Sequence, residues 1–129
     1  MEWTYLMVRQ AQVRMQKEIA DSIAELHKAS VIEMPFESKK FDRIFHCNVY
    51  YFWKERLKCC KELLRVLKPS GYMMTVVRVE GLTTFLTPAQ TDENAYMDDL
   101  KTSGFSDVSI ETVNLKPGYT FQCIKASYT

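Results

Sequence analysis

Residues 54–79 constrain the fold most, because they predict a helix, a turn and a buried strand in succession. Along Lys54–Lys68, apolar residues spaced three, four and three apart form one stripe, as in an amphipathic helix. Pro69-Ser70-Gly71 then ends the helix. Tyr72–Val79 is almost entirely apolar or β-branched, which is typical of a strand covered on both faces. Such a strand requires a sheet with helices packed against it.

Helices and strands alternate through the rest of the chain. Leu6–Ser22 carries apolar residues every three or four positions, which predicts a helix with Thr4 as its N-cap. The other predicted elements are strands over Ala24–Glu33 and Phe41–Tyr51, a loop over Glu80–Gln90, a helix from Thr91, its N-cap, to Ser103 that ends at Gly104, and strands over Ser106–Leu115 and Tyr119–Tyr128. Lys116-Pro117-Gly118 joins the last two strands in an antiparallel hairpin. This order predicts an α/β fold with a mostly parallel sheet, helices on its faces and an antiparallel C-terminal strand.

Composition narrows the class of protein and its partners. The chain has 129 residues, of which 47% are hydrophobic and 26% charged, as in one globular domain. A net charge of +1 gives no basic excess for nucleic acid or a membrane surface. The longest apolar run, Val49–Trp53, is far too short for a membrane helix, and the N-terminal residues do not resemble a signal peptide. We therefore expect a cytoplasmic protein that binds neither nucleic acid nor a membrane.

The four cysteines predict neither a metal site nor a disulfide framework. Cys59 and Cys60 are adjacent, which suits packing within a helix, and the sequence contains no Cys-x-x-Cys spacing. His27 and His46 stand at no ligand spacing to any cysteine. We expect reduced thiols, as in the core of a cytoplasmic protein.

Four segments, in matching order and spacing, resemble motifs of the class I S-adenosylmethionine-dependent methyltransferases. Met34–Asp42 resembles their "LPF…FD" signature, and Asn48–Trp53 resembles the "N…YFW" that follows the fourth strand in one branch of them. Leu63–Gly71 resembles "RVLKPGG", with Ser70 in place of the first glycine. Gly104–Val108 resembles the "GF.dv" before the sixth strand. The most similar members are the methyltransferase type 11 proteins that are grouped with ubiquinone/menaquinone C-methyltransferases.

This resemblance implies a partial Rossmann-like methyltransferase sheet with helices on both faces. The family sheet has seven strands in the order 3-2-1-4-5-7-6, and this chain would supply strands 3, 4, 5, 6 and 7. Without strands 1 and 2, Ala24–Glu33 would either stay detached or pair with Phe41–Tyr51. The first ~35 residues would be the least well anchored, since they would make few contacts.

The resemblance also implies that the chain is a single incomplete domain over residues 1–129. The family carries a Gly-rich loop after its first strand, which lets the backbone approach the cofactor. None of the glycines of this sequence forms such a loop; they are Gly71, Gly81, Gly104 and Gly118. The family register begins this chain near the end of the second strand, so that it resembles an N-terminally truncated member.

S-adenosylmethionine is the cofactor that the resemblance implies. Glu2 falls where the family places the acid that binds the ribose hydroxyls, a role that suits a carboxylate because it accepts two hydrogen bonds. An exposed glutamate near the terminus is the alternative. Ser30 and Val31 fall where the family contacts adenine, with Ser30 in place of the usual aspartate. The alternative for this pair is a strand end that binds nothing.

His46, Cys47 and Asn48 would lie at the carboxyl end of the fourth strand. Open α/β sheets bind ligands at this edge, and the resemblance places the methionine part of the cofactor and the transferred methyl there. Because side chains alternate along a strand, only one of His46 and Cys47 can face the site. A core or loop position is the alternative for each. Tyr50–Trp53 would either line a substrate pocket or form an apolar plug under the next helix.

The implied activity is methyl transfer from S-adenosylmethionine to a small-molecule acceptor. A sulfonium is already an activated donor, so the protein mainly aligns the reactants and excludes water. The sequence displays no Ser-His-Asp, Cys-His or paired-carboxylate arrangement, so we name no catalytic base. The alternative, favoured by the missing Gly-rich loop, is a catalytically inactive chain with a binding or regulatory role at most. Such a chain would bind S-adenosylmethionine weakly or not at all.

Overall fold

The computed structural model describes residues 2–80 and 90–129. It divides into two units, Met1–Ser30 and Val31–Thr129. The first unit contains helices α1 (Glu2–Arg14) and α2 (Gln16–Ala20). The second unit contains β1 (Phe41–Cys47), a short 3-10 helix (Tyr50–Phe52), α3 (Arg56–Val66), β2 (Leu67–Arg78), α4 (Glu93–Ser103), β3 (Asp107–Lys116) and β4 (Tyr119–Ser127). The predicted loop Glu80–Gln90 lies almost wholly outside the described residues.

The sheet of the second unit has the order β1-β2-β4-β3. β1 pairs with β2 in parallel, whereas β4 pairs antiparallel with both β2 and β3. This is the order 4-5-7-6 that the methyltransferase resemblance implies, so the α/β prediction is confirmed. The expectation of a mostly parallel sheet is wrong in the described residues, because β4 runs antiparallel to both of its neighbours and only one of the three pairings is parallel. The predicted hairpin is confirmed as well, and Gly118 at its turn has a φ of 81°, a conformation that suits glycine.

The predicted strand over Ala24–Glu33 does not form. Only Ser30 and Glu33 adopt isolated bridge geometry, and the segment between α2 and Ser30 has no regular structure. A strand is stable only when a neighbouring strand completes its backbone hydrogen bonds, and none of the described strands pairs with this segment. The prediction of five strands is therefore wrong in the described residues, which contain four.

The helix predicted over Leu6–Ser22 begins earlier than expected, at Glu2, and is interrupted near its middle. Thr4 lies inside α1 and is not its N-cap, because α1 already begins at Glu2. No Pro or Gly precedes Thr4, so nothing in the sequence prevents that earlier start. Met15, with a ψ of 13°, separates α1 from α2, although the Met15 amide still donates to the Ala11 carbonyl at 2.9 Å.

β2 begins earlier than predicted, at Leu67. The strand includes Ser70, whose φ is 69°, and the pairing with β1 shifts between Phe41 and Arg43 to accommodate the extra residues. Gly71 is needed here because a Cβ would lie only 2.6 Å from the Asp42 carbonyl oxygen. The turn predicted at Pro69-Ser70-Gly71 is thus an irregular part of the strand.

α4 is capped by Asp92, whereas the sequence favoured Thr91. The Asp92 Oδ1 accepts hydrogen bonds from the amides of Asn94 and Ala95, at 3.0 and 3.1 Å. A carboxylate at this position also interacts favourably with the helix dipole, which explains why it is preferred to a threonine. Gly104 ends the helix with a φ of 124°, as the sequence predicts.

The core of the second unit lies between one face of the sheet and helices α3 and α4. Alternate residues of β2 point into it, and its fully buried members include Met73, Val77, Leu100 and Ile124. Thr75 is the one buried polar residue among the described residues, and it lies between Met73 and Val77 on the same face. The packing of α3 and α4 therefore surrounds a polar group near the carboxyl end of β2. No helix in the described ranges has the length and apolar character needed to cross a membrane.

Candidate active site

Two parallel strands end side by side at one edge of the sheet. His46 of β1 is level with Thr75 of β2, and Cys47 is level with Val76. The Asn48 amide continues this pairing by donating to the Val76 carbonyl at 2.9 Å. The carboxyl ends of parallel strands are where open α/β sheets bind ligands, so this edge is the candidate site.

Asn48 forms the turn that follows β1. Its φ of 56° is left-handed, a conformation that asparagine tolerates better than most residues. The Asn48 Oδ1 accepts a hydrogen bond from the Arg78 amide at 2.9 Å, and its Nδ2 lies 3.3 Å from the Cys47 sulfur. Asn48 therefore joins the ends of the two strands, and its exposed side chain borders the edge where a ligand would bind.

A three-membered polar cluster lies just behind this edge. The His46 Nε2 is 2.9 Å from the Thr75 hydroxyl and 3.2 Å from the Tyr96 hydroxyl, and the two hydroxyls are 2.8 Å apart. Thr75 and Tyr96 are fully buried. Burial lowers the pKa of His46 to about 4, so the imidazole is neutral near pH 7.

Two buried polar atoms of this region have no hydrogen-bond partner among the described residues: the His46 Nδ1 and the Tyr50 hydroxyl. The Tyr50 ring stacks on Tyr96 with their centroids 4.1 Å apart, and Trp53 lies 5.2 Å from the His46 ring. Burial raises the pKa of Tyr50 to about 12, so the phenol stays protonated and can donate a hydrogen bond. The site thus presents unpaired polar groups within an aromatic layer.

A cleft of about 550 Å³ opens beside the segment that follows β1. Tyr51 and Trp53 supply aromatic surface to it, and Lys54 supplies a charge. The other lining residues are Glu55, Arg56, Leu57, Lys58, Gln90 and Asp99. Two of the cationic side chains in this lining form ion pairs: Arg56 with Asp99 at 2.6 Å and Lys58 with Glu55 at 2.7 Å.

The structure places the predicted site residues in both units. His46, Cys47 and Asn48 are consecutive at the sheet edge, and the alternation expected for the first two is present: His46 is half-buried beside the helices, whereas Cys47 is exposed. Val31 packs against the core of the same unit. Ser30 belongs to the first unit. Glu2 is the first residue of α1, and its side chain lies outside what the structure describes.

Thr75 and Tyr96 were missed by reasoning from the sequence. Thr75 did carry a signal, because it is a lone hydroxyl in the otherwise apolar run Met73–Val77, and a strand buried on both faces must satisfy such a group. Tyr96 carried no comparable signal, since a tyrosine in an amphipathic helix is ordinary. Its contact with Thr75 spans 21 residues of sequence, a distance that local periodicity does not encode.

Comparison with known proteins decides the family. The family model described as "Methyltransferase domain" matches residues 2–75, more than half of the chain. The chain belongs to this methyltransferase family. A methyltransferase relative from Bacillus subtilis (strain 168), named the uncharacterized methyltransferase YdaC, is 27% identical over 94 residues. That match covers 71% of this chain and 51% of the relative, so the chain spans about half the length of the curated relative that it matches.

Solved structures support the same fold. A SAM-dependent methyltransferase from Aquifex aeolicus aligns with a TM-score of 0.70 and 23% identity, over 93% of this chain and 63% of the other. The cyclase SpnF aligns with a TM-score of 0.73 and 14% identity, over 95% of this chain and 63% of the other. A methyltransferase and a cyclase thus share this methyltransferase-type sheet, and the fold alone does not determine the reaction.

Proposed function

We propose that this protein is a methyltransferase domain that uses S-adenosylmethionine and acts on a small-molecule acceptor. The observation that carries the proposal is the buried cluster of His46, Thr75 and Tyr96 behind the ligand-binding edge of a methyltransferase-type sheet. When bound, S-adenosylmethionine supplies an activated methyl group. The residues of the chain orient the acceptor and exclude water, which is catalysis by proximity.

The residues at the sheet edge fit part of this cofactor. The unpartnered His46 Nδ1 offers a polar contact in a buried setting, and the Asn48 turn brings backbone and side-chain groups to the same edge. The methionine part of S-adenosylmethionine carries a carboxylate and an amine, which need such contacts. The proposed cofactor-binding residues are Glu2, Ser30, Val31, His46, Cys47 and Asn48.

The size and lining of the cleft beside Trp53 favour a small molecule as the methyl acceptor. Its volume of about 550 Å³ falls within the ~300–1,000 Å³ that is typical of small-molecule sites. Tyr51 and Trp53 offer apolar surface to a planar group, and Lys54 lies at the same cleft. These features favour a compact molecule with a flat apolar part as the methyl acceptor.

A neutral histidine with a low pKa is a poor general base. At a pKa of about 4, His46 has little tendency to take a proton from an acceptor near pH 7. An acceptor that is nucleophilic without losing a proton early, such as an already ionised oxygen or an activated carbon, suits this site. No catalytic base is therefore assigned.

A second candidate function is a binding or regulatory role without catalysis. It is favoured by one observation: none of the four glycines lies in a run that could cradle the cofactor. A chain of this kind would retain the sheet edge and the cleft, and would bind the acceptor without transferring a methyl group.

Calorimetric titration of the chain with S-adenosylmethionine tests the proposal. We expect detectable binding, weaker than low micromolar because no Gly-rich segment contacts the cofactor. Asn48→Gly removes the side chain and tolerates the left-handed φ, and it should weaken binding about tenfold. Lys39→Gly is the matched control, because the exposed Lys39 has the same φ of 56°.

The outcomes separate the two candidate functions. Binding that Asn48→Gly weakens and Lys39→Gly leaves unchanged supports the proposed site. No heat of binding at millimolar S-adenosylmethionine would contradict the methyltransferase proposal and favour a role without catalysis. Equal binding by all three chains would place the cofactor away from Asn48.

A further inference from the structure

β1 lies at the end of the sheet, and none of the strands that the structure describes pairs with its outer edge. Its even-numbered residues direct their backbone groups inward, toward β2. The Asn48 amide donates to the Val76 carbonyl at 2.9 Å. The Asp42 carbonyl oxygen lies only 2.6 Å from the position of a Cβ added to Gly71. Backbone groups alternate between the two sides of a strand, so the odd-numbered residues direct theirs outward. They are Phe41, Arg43, Phe45 and Cys47.

This outer edge is open to pairing with another chain. β1 spans seven residues and contains neither proline nor lysine, and the extra residues at its irregular pairing belong to β2. Proline, lysine and a bulge within the strand are common features that prevent edge strands from pairing between molecules. Phe45 at this edge is 68% exposed. The edge thus offers unpaired backbone groups beside an exposed aromatic ring.

We propose that the outer edge of β1 pairs antiparallel with the same edge of a second copy of this chain. The two four-stranded sheets then form one continuous sheet about a two-fold axis. This inference is independent of the proposed function, because it rests on the backbone and side chains of β1 and needs no ligand.

Backbone geometry selects the register of this pairing. When all seven residues overlap, Ile44 lies opposite the second copy's Ile44, and each odd-numbered residue lies opposite another odd-numbered residue. Phe41 then pairs with the second copy's Cys47, and Arg43 pairs with the second copy's Phe45. By symmetry there are four such pairs, and each exchanges two hydrogen bonds. A shift by one residue opposes outward groups to inward ones, and a shift by two residues loses one pair.

The side chains match in the same register, and this match points to a second copy as the partner. The Arg43 guanidinium lies across from the exposed ring of the second copy's Phe45, and a cation is attracted to the face of an aromatic ring. Arg43 already makes such a contact, since its Cζ is 4.2 Å from the centroid of the Tyr72 ring. Ile44, which lines an apolar groove of about 240 Å³ with Leu63, meets its own copy. No pair in this register places like charges opposite each other.

Sedimentation velocity of the full chain over a range of concentrations measures the dimer. We expect a reversible dimer, and Phe45→Lys should weaken it at least about tenfold, because a like charge then opposes Arg43 twice in each dimer. Phe52→Lys is the matched control: Phe52 is also exposed, at 63%, but lies outside β1, so the dissociation constant should not change. Adding Arg43→Glu to Phe45→Lys places opposite charges across the pair and should restore the dimer.

Three results of this experiment would overturn the inference. The first is a chain that stays monomeric up to millimolar concentration. The second is a dimer that tolerates Phe45→Lys as well as it tolerates Phe52→Lys, because its interface would lie elsewhere. The third is a failure of Arg43→Glu to restore the dimer, because the two positions would then not face each other. Circular dichroism of each variant controls for a changed fold.

Disulfide trapping tests the register without the charged variants, and it decides the outcome even if Phe45→Lys does not fold. Arg43→Cys and Phe45→Cys are prepared separately, each with Cys47→Ser to remove the exposed native thiol. Opposite residues of a hydrogen-bonded pair have Cα atoms ~5.5 Å apart, which suits a disulfide. The same position in the two copies has Cα atoms roughly 8 Å apart, which is too far. Mild oxidation should therefore cross-link a mixture of the two variants but neither variant alone. Cross-linking of Phe45→Cys to itself, or no cross-linking in the mixture, would overturn the proposed interface.

Discussion

His46 should make the folded chain sensitive to mild acid. Burial lowers its pKa from 6.5 to about 4. Between these two pH values, His46 therefore stays neutral in the folded chain but is protonated in the unfolded chain. Below pH 6.5 the unfolded state binds more protons, and the free energy of unfolding therefore falls with falling pH. The stabilisation by neutral His46 is fully present above the unfolded pKa and is lost progressively as the pH falls toward 4.

The size of this effect follows from the two pKa values. One pKa unit corresponds to about 1.4 kcal/mol, so a shift from 6.5 to about 4 is worth roughly 3 kcal/mol in total. Between pH 7 and pH 5 linkage gives a loss of about 2 kcal/mol for this one group. Glu62, whose pKa is lowered by its hydrogen bond to Arg65, adds its own loss only at lower pH, around and below the ordinary pKa of a glutamate.

Urea unfolding at a series of pH values measures this slope. The comparison is between the parent chain and His46→Gln, which has no proton to bind and can still accept a hydrogen bond from Thr75. We expect the parent to lose about 2 kcal/mol more than His46→Gln between pH 7 and pH 5. Parallel pH profiles for the two chains would refute the inference that His46 is buried and neutral. Circular dichroism of both chains before unfolding controls for a changed fold.

Four other predictions concern stability, and thermal unfolding tests the three substitutions among them. Tyr50→Phe removes a buried hydroxyl that has no partner among the described residues, and thermal unfolding should show a gain of about 1 kcal/mol; a clear loss would mean that the hydroxyl is bonded. Ser70→Gly removes the strain of a serine in the left-handed conformation and should raise the free energy of unfolding by roughly 0.5–1 kcal/mol. Gly71→Ala places a Cβ against the Asp42 carbonyl and should lower the free energy of unfolding by about 1–3 kcal/mol. Amide exchange should be faster across Leu6–Glu33 than in the β2 core, and equal protection would contradict the weak anchoring expected of that segment.

The sequence predicts the second unit well because its signals are local. The apolar stripe of α3, the apolar run of β2 and the turn residues before β4 each determine one element, and the methyltransferase motifs then imply how the strands are ordered. The boundaries were less predictable. β2 begins at Leu67 because its first residues pair irregularly with β1, and this depends on a partner strand 26 residues earlier in the chain.

The candidate site was only partly predictable for a related reason. The position of His46, Cys47 and Asn48 follows from strand order, since they lie at the carboxyl end of β1, which pairs in parallel with β2. The chemistry of His46 does not, because it depends on Thr75 and Tyr96, which come from a neighbouring strand and a later helix. The strand expected over Ala24–Glu33 failed in the same way: its residues favour an extended chain, but none of the strands that the structure describes pairs with it.

The motifs that reveal the family hold the fold together, and this explains why they leave the acceptor undetermined. Arg65, from the motif before β2, donates to the carbonyls of Phe36 and Met34 at 2.9 and 3.2 Å. Glu62 binds Arg65 and accepts from the Met34 amide, both at 2.6 Å. These side chains of α3 thus join the motif before β2 to the motif segment that precedes β1 in the chain. The cleft lies beyond the other end of β1, where Tyr51 and Trp53 belong to the motif Asn48–Trp53 but Lys54–Lys58 lie outside the four motif segments. This part of the cleft wall can therefore vary without disturbing the contacts between the motifs.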